Sequence, residues 1–189
     1  IYRTSLPVED PWISHWMECH RLRRPVFVRF SDQIEAPLTY GVLWPVILLP
    51  AKTDWSDETL LGFVLAHEMS HIRRFDALSK WFLAAVLCLH WFNPLVWVMY
   101  ILANRDLELS CDESVVHMYG LKSRSDYALA LVNMEEQRSA FTPLANCFCR
   151  SALKERITAI MKSPKKSIAS LAVAAALIGT TIIVFATSA

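Results

Sequence analysis

A chain of 189 residues is long enough for one domain with a sizeable core. It is 54% hydrophobic with only 4 glycines and has a mean hydropathy of +0.30, an apolar excess that points to a membrane. With 19 Lys+Arg against 18 Asp+Glu the net charge is +1, which argues against nucleic acid as a direct partner.

The chain opens at Ile1 and reads as a piece of a longer protein. "DPWISHWMECHRLRRP" predicts a short amphipathic helix ending before Pro25. Trp12, Trp16 and Cys19 share one side, and Arg21, Arg23 and Arg24 complement the dipole at its end. "VFVRFS" alternates and predicts a strand. Val42 to Leu49 predicts a second strand, which Pro45 demotes to an edge or a bulge because it cannot donate to a ladder. An edge strand can accept an extended peptide.

A helix begins in "TDWSDETLLGFVLAHEMSHIRRFD", capped by Asp54 or Ser56, with Asp57 and Glu58 in the first turn. Leu60 to Ala66 is apolar nearly all round, so this helix is expected to be buried. From Ala77 to Ala103 the only charge is Lys80, and Asn93-Pro94 interrupts the run. Proline disfavours helix before it, so the segment is either one kinked membrane span or a hairpin of two short helices. A polar helix then runs from Asn104 to about Tyr119, stopped by Gly120. "SRSDYALALVNMEEQ" predicts an amphipathic helix capped by Ser123 or Ser125, "FTPLANCFCR" a loop, and "SALKERITAIM" a short helix.

Ile168 to Ala186 carries no charge and matches the roughly 20 apolar residues of a transmembrane helix. Lys162, Lys165 and Lys166 precede it and nothing basic follows, so the domain should face the cytoplasm. The expected division is 1–166 for the domain and 167–187 for the span. The five cysteines have no C-x-x-C pair and suit free thiols in a reducing compartment; Cys147 and Cys149 alone make a weak metal signal.

His67 and His71 are one helical turn apart and project from one face, as two ligands of one ion require. Glu68, displaced around the helix, can reach a water without replacing it. This H-E-x-x-H arrangement supplies two zinc ligands and a general base. A third ligand must come from elsewhere, and His90, Glu108, Asp112, Glu113 and His117 are candidates. Glu108 and Asp112 again share a face, so one can bind metal while the other orients a histidine. Had Ala77–Ala103 crossed the membrane once, Glu108 would lie opposite His71. A shared ion therefore predicts a re-entrant hairpin at about 77–103, its second arm returning roughly 20 Å. The chain is thus expected to be α+β and mostly helical, with a small N-terminal β-sheet, the hairpin and a C-terminal transmembrane helix.

"LAHEMSHIRRFD", "HWFNPLVW" and "ELSCDESVV", followed by a basic stretch and an apolar span, resemble the BlaR/MecR-type membrane zinc metallopeptidases from about Pro25 onward. The resemblance implies a gluzincin-like site with His67, His71 and Glu108 on zinc and Glu68 as base. Asp112 would be a fourth ligand or a partner of a histidine, and substrate would lie along Tyr40–Leu49, with Tyr40, Gly41, Val42 and Leu43 as contacts. It implies a multi-pass cell-membrane protein in contact with lipid, its site facing the cytoplasm. Its substrate would be a cytoplasmic repressor-like regulator or the chain itself, within "FTPLANCFCRS". No penicillin-binding sensor domain is recognisable in these residues, so β-lactam sensing is not implied. Three alternatives stay open: a housekeeping protease of the HtpX/Ste24 type, a transducer that binds zinc without hydrolysis, and a metal-free scaffold. For the oxyanion partner the candidates are Arg105, His117, Tyr100 and Tyr119, with Arg105 better explained by pairing with Asp106 or a neighbouring acid. Asp76 is expected to cap or to pair with Arg73 or Arg74 and to do no chemistry.

Overall fold

A computed structural model describes residues 5–7, 10–139 and 146–162. After the two-residue strand β1 (Leu6–Pro7), Asp10 caps helix α1 (Pro11–Cys19) by accepting from Trp12 N at 2.7 Å, with Pro11 at the first helical position. Ile13 and Trp16 are buried from this helix, whereas Cys19 is exposed. The helix stops at Cys19, short of the expected end, and has no basic residue in its last turn. Arg24 is therefore not a dipole partner. It reaches across the fold, as described below.

Strand β2 (Phe27–Ser31) follows, then β3 (Leu38–Tyr40) and β4 (Val46–Pro50). The sheet order is β1-β2-β4-β3, with β4 parallel to β2 (Phe27 opposite Val46) and antiparallel to β3 (Leu38 opposite Leu48). The expected Val42–Leu49 strand is thus two elements, and the edge lies elsewhere. β4 sits inside the sheet and is buried along its whole length, as an apolar run covered on both faces should be. Pro45 precedes the ladder, where its carbonyl accepts from Phe27 N at 3.0 Å and its missing N–H costs nothing. The edge is β3. Gly41 makes the turn away from it at φ 87°, and a Cβ there would lie 2.5 Å from the Trp44 carbonyl oxygen.

Helix α2 (Glu58–Arg74) is capped by Asp57, whose Oδ1 accepts from Thr59 N and Leu60 N, and not by Asp54 or Ser56. Asp54 instead accepts from Ser56 N in the preceding turn. Leu61 to Ala66 are buried and form the main core with Ile47 and Leu49 of β4 and Val115 and Val116 of a later helix. α2 ends at Phe75, a left-handed residue at φ 58°. The chain continues at once into α3 (Asp76–Leu89), turns through residues 90–93, and returns as α4 (Pro94–Tyr119). Asn93 caps α4 by accepting from Leu95 N, with Pro94 at the first position. The Asn93-Pro94 break is therefore a hairpin, and Lys80 of α3 lies 3.2 Å from Glu108 of α4. Trp81, Phe82, Leu89, Trp91, Phe92 and Leu95 around its free end are more than two-thirds exposed.

A 3-10 turn (Leu121–Ser123) leads into α5 (Arg124–Ser139), and α6 (Asn146–Met161) packs on α4 and α5. Ser123 donates to the Tyr119 carbonyl. α6 begins at Asn146, so part of the expected "FTPLANCFCR" loop is helical, while 140–145 lies outside the described residues. The architecture is α+β and mostly helical. Among the described residues no helix is long and apolar enough to cross a membrane, and the expected span Ile168–Ala186 lies outside them.

Candidate metal centre

One helical turn on α2 sets the rings of His67 and His71 with centroids 4.9 Å apart. The hairpin brings back Glu108, whose Oε2 is 3.4 Å from His67 Nε2 and whose Oε1 is 3.7 Å from His71 Nε2. The three donor atoms lie within 4.8 Å of one another. Two imidazole nitrogens and a carboxylate oxygen are a donor set of the kind that catalytic metal sites use.

The opposite ring nitrogens explain why both Nε2 atoms face Glu108. His71 Nδ1 lies 2.8 Å from Asp76 Oδ2, a carboxylate that is 2% exposed. His67 Nδ1 lies 3.1 Å from the Tyr127 hydroxyl and 3.2 Å from Asp112 Oδ1. A ring that donates from Nδ1 keeps Nε2 as a lone pair for a metal. Asp112 is fixed in turn: Tyr127 donates to it at 2.6 Å, and Arg156 of α6 grips it bidentately at 2.7 and 2.6 Å.

The electrostatics suit a cation. Burial lowers the affinity of His67 for a proton, but the Asp112 and Glu108 carboxylates more than reverse this and raise its pKa to about 9. Burial works to raise Glu108, yet hydrogen bonds to His67 and His71 hold it well below the carboxylate range. Against its own burial, Asp112 is held down to about 2 by Arg156 and His67. The Glu108 and Asp112 carboxylates beside the two rings give the pocket a negative field, which favours a cation. The residues present therefore fit a metal ion.

A cleft of about 360 Å³ opens over these donors, with edge strand β3 and the turn after it on one side and α5 on the other. Glu68 lines it, is 8% exposed, and accepts from Thr39 Oγ1 of β3 at 2.6 Å. Of the expected substrate contacts, Gly41 and Val42 line the cleft. Tyr40 packs on the far face of the sheet with Ile34, Val46 and Leu48, and Leu43 is 69% exposed outside the cleft.

The remaining candidates are elsewhere. Asp112 lies on the Nδ1 side of His67, away from the three converging donors. His90 is exposed at the hairpin turn, and Glu113 and His117 are exposed on α4. Arg105 pairs with Asp106 and Glu155, while the Tyr119 hydroxyl accepts from Trp16. Neither these nor Tyr100 line the cleft.

Asp76 corrects the expectation drawn for it. It does pair with Arg74, at 3.5 Å, but its other oxygen holds His71. Its position five residues past His71, across a helix end, was the one available hint. Tyr127, Arg156 and Thr39 carried no hint, since each arrives from an element whose packing is not written locally.

Fold and site together define an α+β chain in which a helix and a hairpin converge three metal-type donors on a cleft beside a sheet edge. A family model described as BlaR1 peptidase M56 matches residues 8–160, and the chain belongs to that family. It is similar to the regulatory protein BlaR1 of Bacillus licheniformis, 31% identical over 145 residues, which is 75% of this chain and 24% of that protein. It is also similar to the methicillin resistance mecR1 proteins of Staphylococcus aureus and Staphylococcus epidermidis, 22% identical over 95 residues, 50% of this chain and 16% of each relative. The chain thus spans about a quarter, or less, of the curated relatives it matches. A metallopeptidase family implies a metal, and two groups of possible ligands occur among the described residues: His67, His71 and Glu108, which line the cleft, and His71, Asp76 and Cys111, the last buried outside the cleft lining.

Proposed function

We propose that this chain carries the zinc endopeptidase site of a membrane-embedded, BlaR/MecR-type signalling protease. The observation that supports this most is the pairing of each ligand-type histidine with its own buried carboxylate, leaving both Nε2 atoms turned toward Glu108. In this reading His67, His71 and Glu108 hold the zinc. When bound, zinc supplies a Lewis acid that polarises the scissile carbonyl and acidifies a water. Glu68 takes the proton of that water and returns it to the departing amine. Thr39 keeps the Glu68 carboxylate at the cleft wall, and the edge strand β3 aligns an extended peptide by main-chain hydrogen bonds. Asp76 and Asp112 hold the two imidazole rings in register.

The hairpin anchors the domain in the cytoplasmic leaflet. Its uncharged arms, Trp81–Leu89 and Leu95–Ala103, are each roughly 13 Å long at about 1.5 Å per residue. That is about half of a bilayer core of roughly 30 Å, so the hairpin enters one leaflet without crossing. The substrate is a cytoplasmic protein of repressor type or the chain itself.

Zinc per chain and peptide cleavage, measured in detergent on wild type, Glu108→Ala and Glu68→Gln, test this reading. One zinc in wild type, lost in Glu108→Ala and kept in an inactive Glu68→Gln, is the expected result. A folded wild type without zinc would end the proposal.

A further inference from the structure

Hydrolysis in this cleft requires a partner for the charge that develops on the scissile oxygen. The water oxygen bonds to the carbonyl carbon while Glu68 takes the water's proton, and the carbonyl pair moves onto oxygen. The pair then returns, the C–N bond breaks, and the amine leaves with the proton. A preorganised donor aimed at that transient anion is commonly the largest single contribution to catalysis. The donors suggested by the sequence all lie outside the cleft, which leaves the described side chains of the cleft wall to share that charge with the metal.

Besides the two histidines, the cationic side chains lining the cleft among the described residues are Arg24, Lys80 and Arg156. Arg156 is committed to Asp112 through two hydrogen bonds. Arg24 is committed three ways: to the Val42 carbonyl at 2.5 Å, to the Ile72 carbonyl, and to the face of Phe75, 3.9 Å from the ring centroid. Of the three hydroxyls in the lining, those of Thr39 and Tyr127 donate to Glu68 and Asp112, and that of Thr53 carries no charge to meet an anion.

Lys80 differs from all of these. It stands one turn into α3 from Asp76, and among the described residues its Nζ has one polar partner, Glu108 Oε1 at 3.2 Å. Its side chain is 43% exposed. An ammonium has three N–H donors, so two directions remain open beside the metal-facing oxygen of Glu108. We propose that Lys80 is a catalytic residue whose ammonium stabilises the tetrahedral oxyanion of the scissile peptide. This rests on the zinc endopeptidase reading above. It also gives a role to the one charge in the otherwise apolar hairpin segment.

The test uses the full chain in detergent, loaded with zinc, as wild type, Lys80→Met and Lys80→Arg. A peptide phosphinate, tetrahedral and anionic, probes the oxyanion site by calorimetry. The matching uncut peptide probes ground-state binding in Glu68→Gln with and without Lys80→Met. Lys80→Met is expected to keep its zinc, to bind the phosphinate on the order of 100-fold more weakly, and to leave peptide binding unchanged. Its kcat should fall by a similar factor at constant KM, with partial recovery in Lys80→Arg. Unchanged phosphinate affinity overturns the assignment, as does a parallel loss of phosphinate and peptide binding. Loss of zinc from folded Lys80→Met also overturns it, making Lys80 a support for Glu108. A zinc-loaded wild type that cuts no peptide, yet loses phosphinate binding with Lys80, removes the hydrolytic reading and keeps Lys80 as the anion partner. A wild type that neither cuts nor binds the phosphinate removes both.

Discussion

Asp76 offers the sharpest separation of metal chemistry from folding. It is 2% exposed, and its Oδ2 lies 2.8 Å from the Nδ1 of a proposed ligand, His71. Removing such a partner frees the ring to rotate and lowers its basicity, which typically costs 10- to 100-fold in metal affinity, or about 1.4–2.8 kcal/mol. Asp76→Asn keeps an acceptor of the same shape and loses the charge, so it should sit near the tenfold end. Asp76→Ala leaves His71 Nδ1 with only the Cys111 thiol, 3.3 Å away, and removes the Arg74 carboxylate partner, so it should sit near the hundredfold end, with about 1–3 kcal/mol of lost stability. Zinc affinity would be measured by competition with a chromophoric chelator in detergent, and folding by urea unfolding of the same samples without metal. The reasoning is refuted if both variants bind zinc within twofold of wild type. It is equally refuted if Asp76→Asn loses zinc only in proportion to its loss of fold.

Arg156→Met should destabilise the metal-free chain by about 3–5 kcal/mol, or less in so far as water reaches a side chain 23% exposed, because it strands the buried Asp112 carboxylate. Adding Asp112→Asn to Arg156→Met should recover part of that loss, as urea midpoints would record. Thr39→Val, which removes the hydroxyl from Glu68 while preserving shape, should retain zinc and lose roughly tenfold in kcat, with Thr39→Ser close to wild type. Gly41→Ala should cost about 1–2 kcal/mol or more, since φ 87° and the nearby Trp44 carbonyl both oppose a Cβ, and thermal unfolding would show it. Chelation of the metal should lower the melting temperature, by an amount equivalent to about 4 kcal/mol if free zinc had stood at 1,000 times its dissociation constant.

Those elements that depend on local periodicity were legible before any fold was known. His67, Glu68 and His71 share a helical turn because of 3.6-residue repetition alone, whereas Asn93-Pro94 fits a kink as well as a reversal, and only a metal shared with a later residue favours the hairpin. Spacing alone left Glu108 among several candidate third ligands, Asp112 included, and it was the resemblance of the three motifs to a known family that singled it out. The errors arose where a competing local choice looked equal. Asp54, Ser56 and Asp57 are all good caps, and which one caps α2 depends on where the core lets the first turn begin. Pro45 was read as a defect within a strand, although the pairing of β4 between β2 and β3 turns it into the strand's threshold and passes the edge to Leu38–Tyr40.

By itself, then, the sequence determined the one-turn pairing of His67 with His71, the break at Asn93-Pro94 and the mostly helical α+β class, because each follows from spacing or residue type along a single element. Only the tertiary structure decided what surrounds that pattern. Asp76 reaches His71 because a left-handed Phe75 turns α3 back on α2, and Arg156 reaches Asp112 because α6 packs across α4. Thr39 reaches Glu68 because the sheet presents its edge to the helix. Such partners are chosen by packing between elements distant in the chain, and a carboxylate, hydroxyl or guanidinium bears no local mark of the group it will meet.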